Sequence, residues 1–126
     1  MYGIETINKI NNTGDNIKNN YAVMYRVYIG KNDGIEKRQI IADDIFSDII
    51  NSVLINRNIE CYTLYNAVGM YQRESEKTAI IEIIASENIK STEAAIIDSI
   101  KEFRLAFNQR SILYTKQYIF MDEITK

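Results

Sequence analysis

Between Tyr21 and Gly30 the chain reads YAVMYRVYIG, with β-branched and aromatic residues in alternation. Val23, Tyr25, Val27 and Ile29 therefore share one face of a predicted strand, and Met24, Arg26 and Tyr28 share the other. KNDG follows as a turn whose Asn, Asp and Gly tolerate positive φ. IEKRQIIA (35–42) is expected to pair back as a hairpin strand, with a helix as the alternative. The period then changes. In DDIFSDIINSVLIN the residues Ile45, Phe46, Ile49, Ile50, Val53 and Leu54 recur at helical spacing behind Asp43 or Asp44 as N-cap, which predicts an amphipathic helix. ECYTLYNAVGMYQ (60–72) reads as a strand, RESEK (73–77) as a polar turn and TAIIEIIA (78–85) as a buried strand. A second helix opens at the cap-like KSTEAA and carries Ile96, Ile100, Phe103 and Phe107 on one stripe, before SILYTKQYIFM closes as a last strand. Residues 1–19, rich in Asn and without periodicity, are expected to be a flexible arm ahead of a single ligand-binding domain over 20–126.

Two helices among four or five strands predict an α+β fold: a mainly antiparallel sheet with both helices on one face, in ferredoxin-like order. In 78–85, Ala79, Ile81 and Ile83 oppose Ile80, Glu82 and Ile84, so both sheet faces carry apolar residues. Helices cover only one of them. A bare apolar sheet invites association, so the chain is expected to form a homo-oligomer, a dimer or higher, unless the arm or the hairpin shields that face.

Composition narrows the chemistry. The 126 residues suffice for one domain with a core, and 46% of them are hydrophobic, yet no run is long enough to span a bilayer. The N-terminus lacks the apolar centre of a secretion signal, so the expected place of action is the host cell cytoplasm, with no membrane partner. A net charge of −2 from 15 basic and 17 acidic side chains offers no broad footprint for a DNA or RNA polymer. There is no His, and Cys61 is the single cysteine; the commonest general base and the usual zinc ligands are missing. Cys61 reads as a small buried side chain.

No GxGxxG, GxxxxGK[ST], HExxH or GxSxG occurs, and GKNDG lacks the spacing of a phosphate loop and reads as a turn. Asp43, Asp44 and Asp48 beside Glu36 could suggest metal ligands, but acids at a helix start read first as capping and dipole partners. The stretch FNQRSILYTKQY (107–118) is richer. A helix gives way there to Asn108, Gln109 and Arg110, then to a strand with Tyr114 and Tyr118. Carboxamides offer donors and acceptors, the guanidinium a planar fork for phosphate, and the phenol a stacking surface. Similar groups occur at Tyr65, Asn66, Tyr71, Gln72 and Arg73, and at Arg57. The plainer alternative makes Asn108 a helix C-cap and Arg110 a partner of the helix dipole. Chemistry alone therefore puts Arg57, Arg104 and Arg110 forward for phosphates, Asn66, Asn108 and Gln109 for base or ribose edges, and Tyr65 and Tyr114 for stacking.

The succession YRVYIG, helix, YTLYNAVGMYQ, TAIIEI and FRLAFNQRSILYTKQYIF, with its FNQ-x-S-[IV]-L junction, resembles the phage Thoeris anti-defence signal-sponge family over about residues 21–121. It also resembles a related family of short phage and bacterial proteins classed as a domain of unknown function. The resemblance implies an oligomeric phage protein that sequesters glycocyclic ADP-ribose uncleaved in pockets between protomers, with cyclic di- or trinucleotides as further ligands. No catalytic residue, metal or cofactor is expected, and the chain reads as a binder rather than an enzyme. The alternatives are a metal-independent enzyme that degrades the signal, and a protein-interaction module that blocks a host factor.

Overall fold

The computed structural model describes residues 6–10 and 16–125, with the side chains of 21–125. Its elements are β1 (Thr6–Ile10), β2 (Asn16–Gly30), α1 (Asp43–Asn56), β3 (Thr63–Tyr71), β4 (Glu74–Ala85), α2 (Ile89–Ala106) and β5 (Leu113–Thr125). All strand pairings are antiparallel. β2 is the spine of the sheet. β5 runs along one of its edges from Asn16 to Tyr28, while the other edge takes β4 at residues Val23 to Gly30 and β1 at Asn16 to Asn20. β3 closes the far side by pairing with β4. Over the helix-covered half the order is thus β5-β2-β4-β3, the expected ferredoxin-like α+β arrangement.

Hydrophobic burial explains why the local patterns settle here. Val23, Tyr25, Val27 and Ile29 of β2 and Ala79, Ile81, Ile83 and Ala85 of β4 form one continuous buried surface. Phe46, Ile50, Val53 and Leu54 of α1 close over it, together with Ile96 and Phe103 of α2 and Phe107 just beyond. The phenol of buried Tyr25 donates to Glu93 Oε2 at 3.1 Å, and Glu93 also receives the Lys116 ammonium, so this polar tip is satisfied.

Several local expectations change. Residues 35–42 form no strand: β4 and β5 already occupy both edges of β2, and the segment is a loop with one isolated bridge, Asn32 to Gln39. RESEK is not a polar turn. β4 begins at Glu74, and the hairpin turn is Gln72–Arg73, with φ of 48° and 70°, the left-handed pair that matches the twist of the flanking strands. Of the expected arm, residues 1–5 and 11–15 lie outside the described residues, while 6–10 and 16–19 are strand. Ala42, not an aspartate, sits at the N-cap of α1. Asp43 instead accepts from Gln39 Nε2 at 2.7 Å and from the buried Lys31 ammonium at 3.1 Å, which also lies 5.3 Å above the Phe46 ring. Cys61 is exposed rather than buried. Among the described residues no helix is long and apolar enough to cross a membrane.

Two carboxylates fasten the loop between β2 and α1. Asp33 accepts the N–H groups of Ile35 and Glu36 at 2.9 Å each and the Asn108 amide at 3.1 Å. The backbone N–H of Glu36, then that of Ile35, holds the Asp33 carboxyl below its ordinary 3.8, and the Gln39 amide and Lys31 do the same for Asp43. A carboxyl depressed in the folded state binds its proton more tightly once unfolded, so its stabilising effect is complete above 3.8 and is lost as pH falls through the lower folded value. The urea midpoint should therefore decline as pH drops below 3.8. The double variant Asp33→Asn, Asp43→Asn should show a shallower decline, and an unchanged slope would contradict this assignment.

Candidate functional site

The face of the sheet away from the helices has no covering element among the described residues, and the register fixes what it presents. Directly paired residues share a face, so three cross-strand rows can be followed. Gln117, Met24 and Ile84 form one row; Thr115, Arg26, Glu82 and Thr63 form the next; Leu113, Tyr28, Ile80 and Tyr65 form the third. Beyond them come Gly30, Thr78 and Ala67, and then Glu76 with Gly69.

The centre of this face is an ion pair in apolar and aromatic surroundings. Arg26 Nε donates to Glu82 Oε2 at 3.0 Å, with the two side chains 35% and 26% exposed. Both heads are thus reachable from solvent while held by the sheet. The hydrogen bond to Glu82 first, then its charge and those of Tyr65 and Tyr28, raise the Arg26 pKa further, keeping the guanidinium cationic. Tyr28 and Tyr65 stand one row away, flanking Ile80.

A second carboxylate lies at the upper end. Glu76 Oε2 accepts the Asn32 N–H at 2.9 Å. A Cβ on Gly30 would lie 2.6 Å from Glu76 Oε1 and 2.7 Å from Oε2, so the carboxylate takes up the space that a side chain at position 30 would otherwise fill.

The residues singled out from the sequence do not share one face. Tyr65 is on the uncovered side, whereas Asn66 opposes Ala79 and Tyr114 opposes Val27 on the helix side, where Tyr114 packs against the core. Asn108 adopts φ 50° and fastens the loop after β2: its amide donates to Asp33 and its carbonyl accepts the Gly34 N–H at 2.9 Å. Gln109 Nε2 donates to the Asn32 carbonyl at 2.6 Å. Both carboxamides are therefore engaged in joining the end of α2 to the β2–α1 loop. Arg57 pairs with Glu102, and Arg104 and Arg110 are exposed at and after the end of α2. The groups the sequence reading passed over are Arg26, Glu82, Tyr28 and Glu76. Their one visible signal was a single charge of opposite sign in each of two apolar strands.

No protein-family model matches the chain, and no curated protein matches it significantly, so the resemblance to the signal-sponge family gains no support from a family match. Solved structures do match. A phage SAM lyase in complex with S-methyl-5′-thioadenosine superposes with a TM-score of 0.56 and 21% identity, covering 79% of this chain and 88% of that one. A phage SAM lyase in the apo state gives 0.54 and 17%, covering 82% and 89%. What is shared is the fold. These neighbours are enzymes, which overturns the expectation of a non-enzymatic binder. The physical reason is that lacking His removes a proton relay, and a bond whose leaving group departs without a proton does not need one.

Proposed function

We propose that the uncovered sheet face binds S-adenosylmethionine and that the protein cleaves it as a lyase in the cytoplasm of a phage-infected cell. The Arg26–Glu82 pair carries this reading. It sets one guanidinium and one carboxylate side by side, the complement of the carboxylate and ammonium at the amino-acid end of that molecule. Tyr28 and Tyr65 supply π-faces beside it for the sulfonium or the adenine. The fold shared with a phage SAM lyase, one example of which is solved with S-methyl-5′-thioadenosine, supports the same ligand class.

The chemistry suits a chain without His. When the bond from the γ-carbon to sulfur breaks, its electron pair goes to sulfur and neutral S-methyl-5′-thioadenosine departs. The substrate's own carboxylate oxygen can supply the new pair to the γ-carbon, closing a lactone with no proton, water or metal consumed. The protein's part is then to orient that carboxylate with Arg26 and to screen the sulfonium from water. A second copy of this chain provides the screen in this reading, since Met24, Ile80, Ile84 and Leu113 surround the pair with apolar surface.

Incubation with S-adenosylmethionine at substoichiometric protein should release S-methyl-5′-thioadenosine with turnover, read by chromatography and mass spectrometry. A parallel incubation with glycocyclic ADP-ribose tests the ligand implied by the sponge resemblance, which shares the adenosine moiety. Unchanged S-adenosylmethionine that also fails to stay with the protein on filtration overturns the proposal.

A further inference from the structure

We infer that Glu76 selects the base of the bound nucleoside by accepting a hydrogen bond from the exocyclic amine of adenine; this rests on the adenosyl reading of the sheet face. One oxygen of Glu76 is occupied, because Oε2 holds the Asn32 N–H. Oε1 accepts no hydrogen bond among the described residues. The carboxylate lies across the bare Gly30 backbone, within 2.6 Å of where a Gly30 Cβ would stand. It is thus an acceptor anchored at one oxygen, on the same face as the Arg26–Glu82 pair.

Spacing gives the acceptor its partner. Arg26 and Gly30 are four residues apart on β2, about 13 Å at the usual rise of a strand. That is the scale of an extended adenosylmethionine from its amino-acid end to its 6-amino group. With the amino acid on Arg26 and Glu82, the sulfonium and sugar fall beside Tyr28 and Tyr65. The flat base then lies over Thr78 and Ala67, beside the Glu76 carboxylate that covers Gly30 in the same row. The group the ligand presents there to Glu76 must be a donor, and the 6-amino group of adenine is one. Hypoxanthine, which carries a carbonyl at that position, would set oxygen against oxygen.

The test compares S-methyl-5′-thioadenosine with 5′-methylthioinosine by calorimetry on the wild-type protein and on Glu76→Gln. Glutamine keeps an oxygen for the Asn32 N–H and offers an amide N–H on the free side, so the loop stays anchored while the acceptor becomes a donor. Wild type should prefer the adenine nucleoside by about tenfold or more, and Glu76→Gln should level or invert that preference. Gly30→Ala, which displaces the carboxylate without changing its chemistry, should weaken the adenine nucleoside toward the affinity of the inosine one. Thermal unfolding of both variants checks that they fold. Equal affinity of the two nucleosides for wild type, or an equal loss of both in Glu76→Gln, overturns the inference and leaves the adenosyl reading standing. Failure of wild type to bind either nucleoside removes both.

Discussion

Phe46→Ala should lower the free energy of unfolding by about 3–5 kcal/mol, a large share of the roughly 5–15 kcal/mol that holds a domain of this size. Phe46 is 2% exposed, and its ring stacks on Phe107 with 3.8 Å between centroids at 10°. It thereby joins α1 to the end of α2, and it also forms the floor beneath the buried Lys31 ammonium. Truncation removes the apolar contacts, leaves a cavity between the helices and strips the cation of its aromatic neighbour. Urea unfolding followed by circular dichroism measures the loss. Phe46→Leu should recover a good part of it, because most of the volume returns. A loss below about 1 kcal/mol in the alanine variant would mean that α1 does not pack on α2 as described.

Arg26→Ala should reduce turnover of S-adenosylmethionine by about ten- to a hundredfold, the effect of removing a charged hydrogen-bond donor from a carboxylate ligand. Folding of the single chain should change little, because the pair with Glu82 is partly exposed on a sheet face and such pairs add little to stability. Glu82→Gln separates the roles of the two residues. It keeps the shape and an oxygen for Arg26 but removes the negative charge, so it should weaken binding of the ammonium-bearing substrate more than binding of S-methyl-5′-thioadenosine, which has no amino-acid end. Steady-state kinetics paired with thermal melts read both quantities. An Arg26→Ala protein that melts normally and turns over at the wild-type rate would remove this face from the chemistry.

Both helices were legible because their apolar stripes repeat within a few residues of chain; the stripe Ile96, Ile100, Phe103 and Phe107 appears in the structure as a buried or half-buried line. The 35–42 segment misled because its Ile residues look strand-like while the edge they needed on β2 belongs to β4 and β5. At the FNQR junction the residue types suited a ligand, but the same amides suit a left-handed turn tied to a neighbouring loop, and composition cannot choose between those uses. The reading of the chain as a non-enzyme failed for a related reason: missing residues exclude particular mechanisms, not every one.

By itself the sequence determined the two amphipathic helices, the alternating strands and the α+β class, since each is written in spacings that neighbouring residues enforce on one another. Strand order and register were decided only in the folded molecule. Arg26 meets Glu82 across 56 residues of chain, and Glu76 reaches back 44 residues to the N–H of Asn32 beside Gly30. Such pairings depend on which edges the other strands have already filled, information that no local stretch of chain carries.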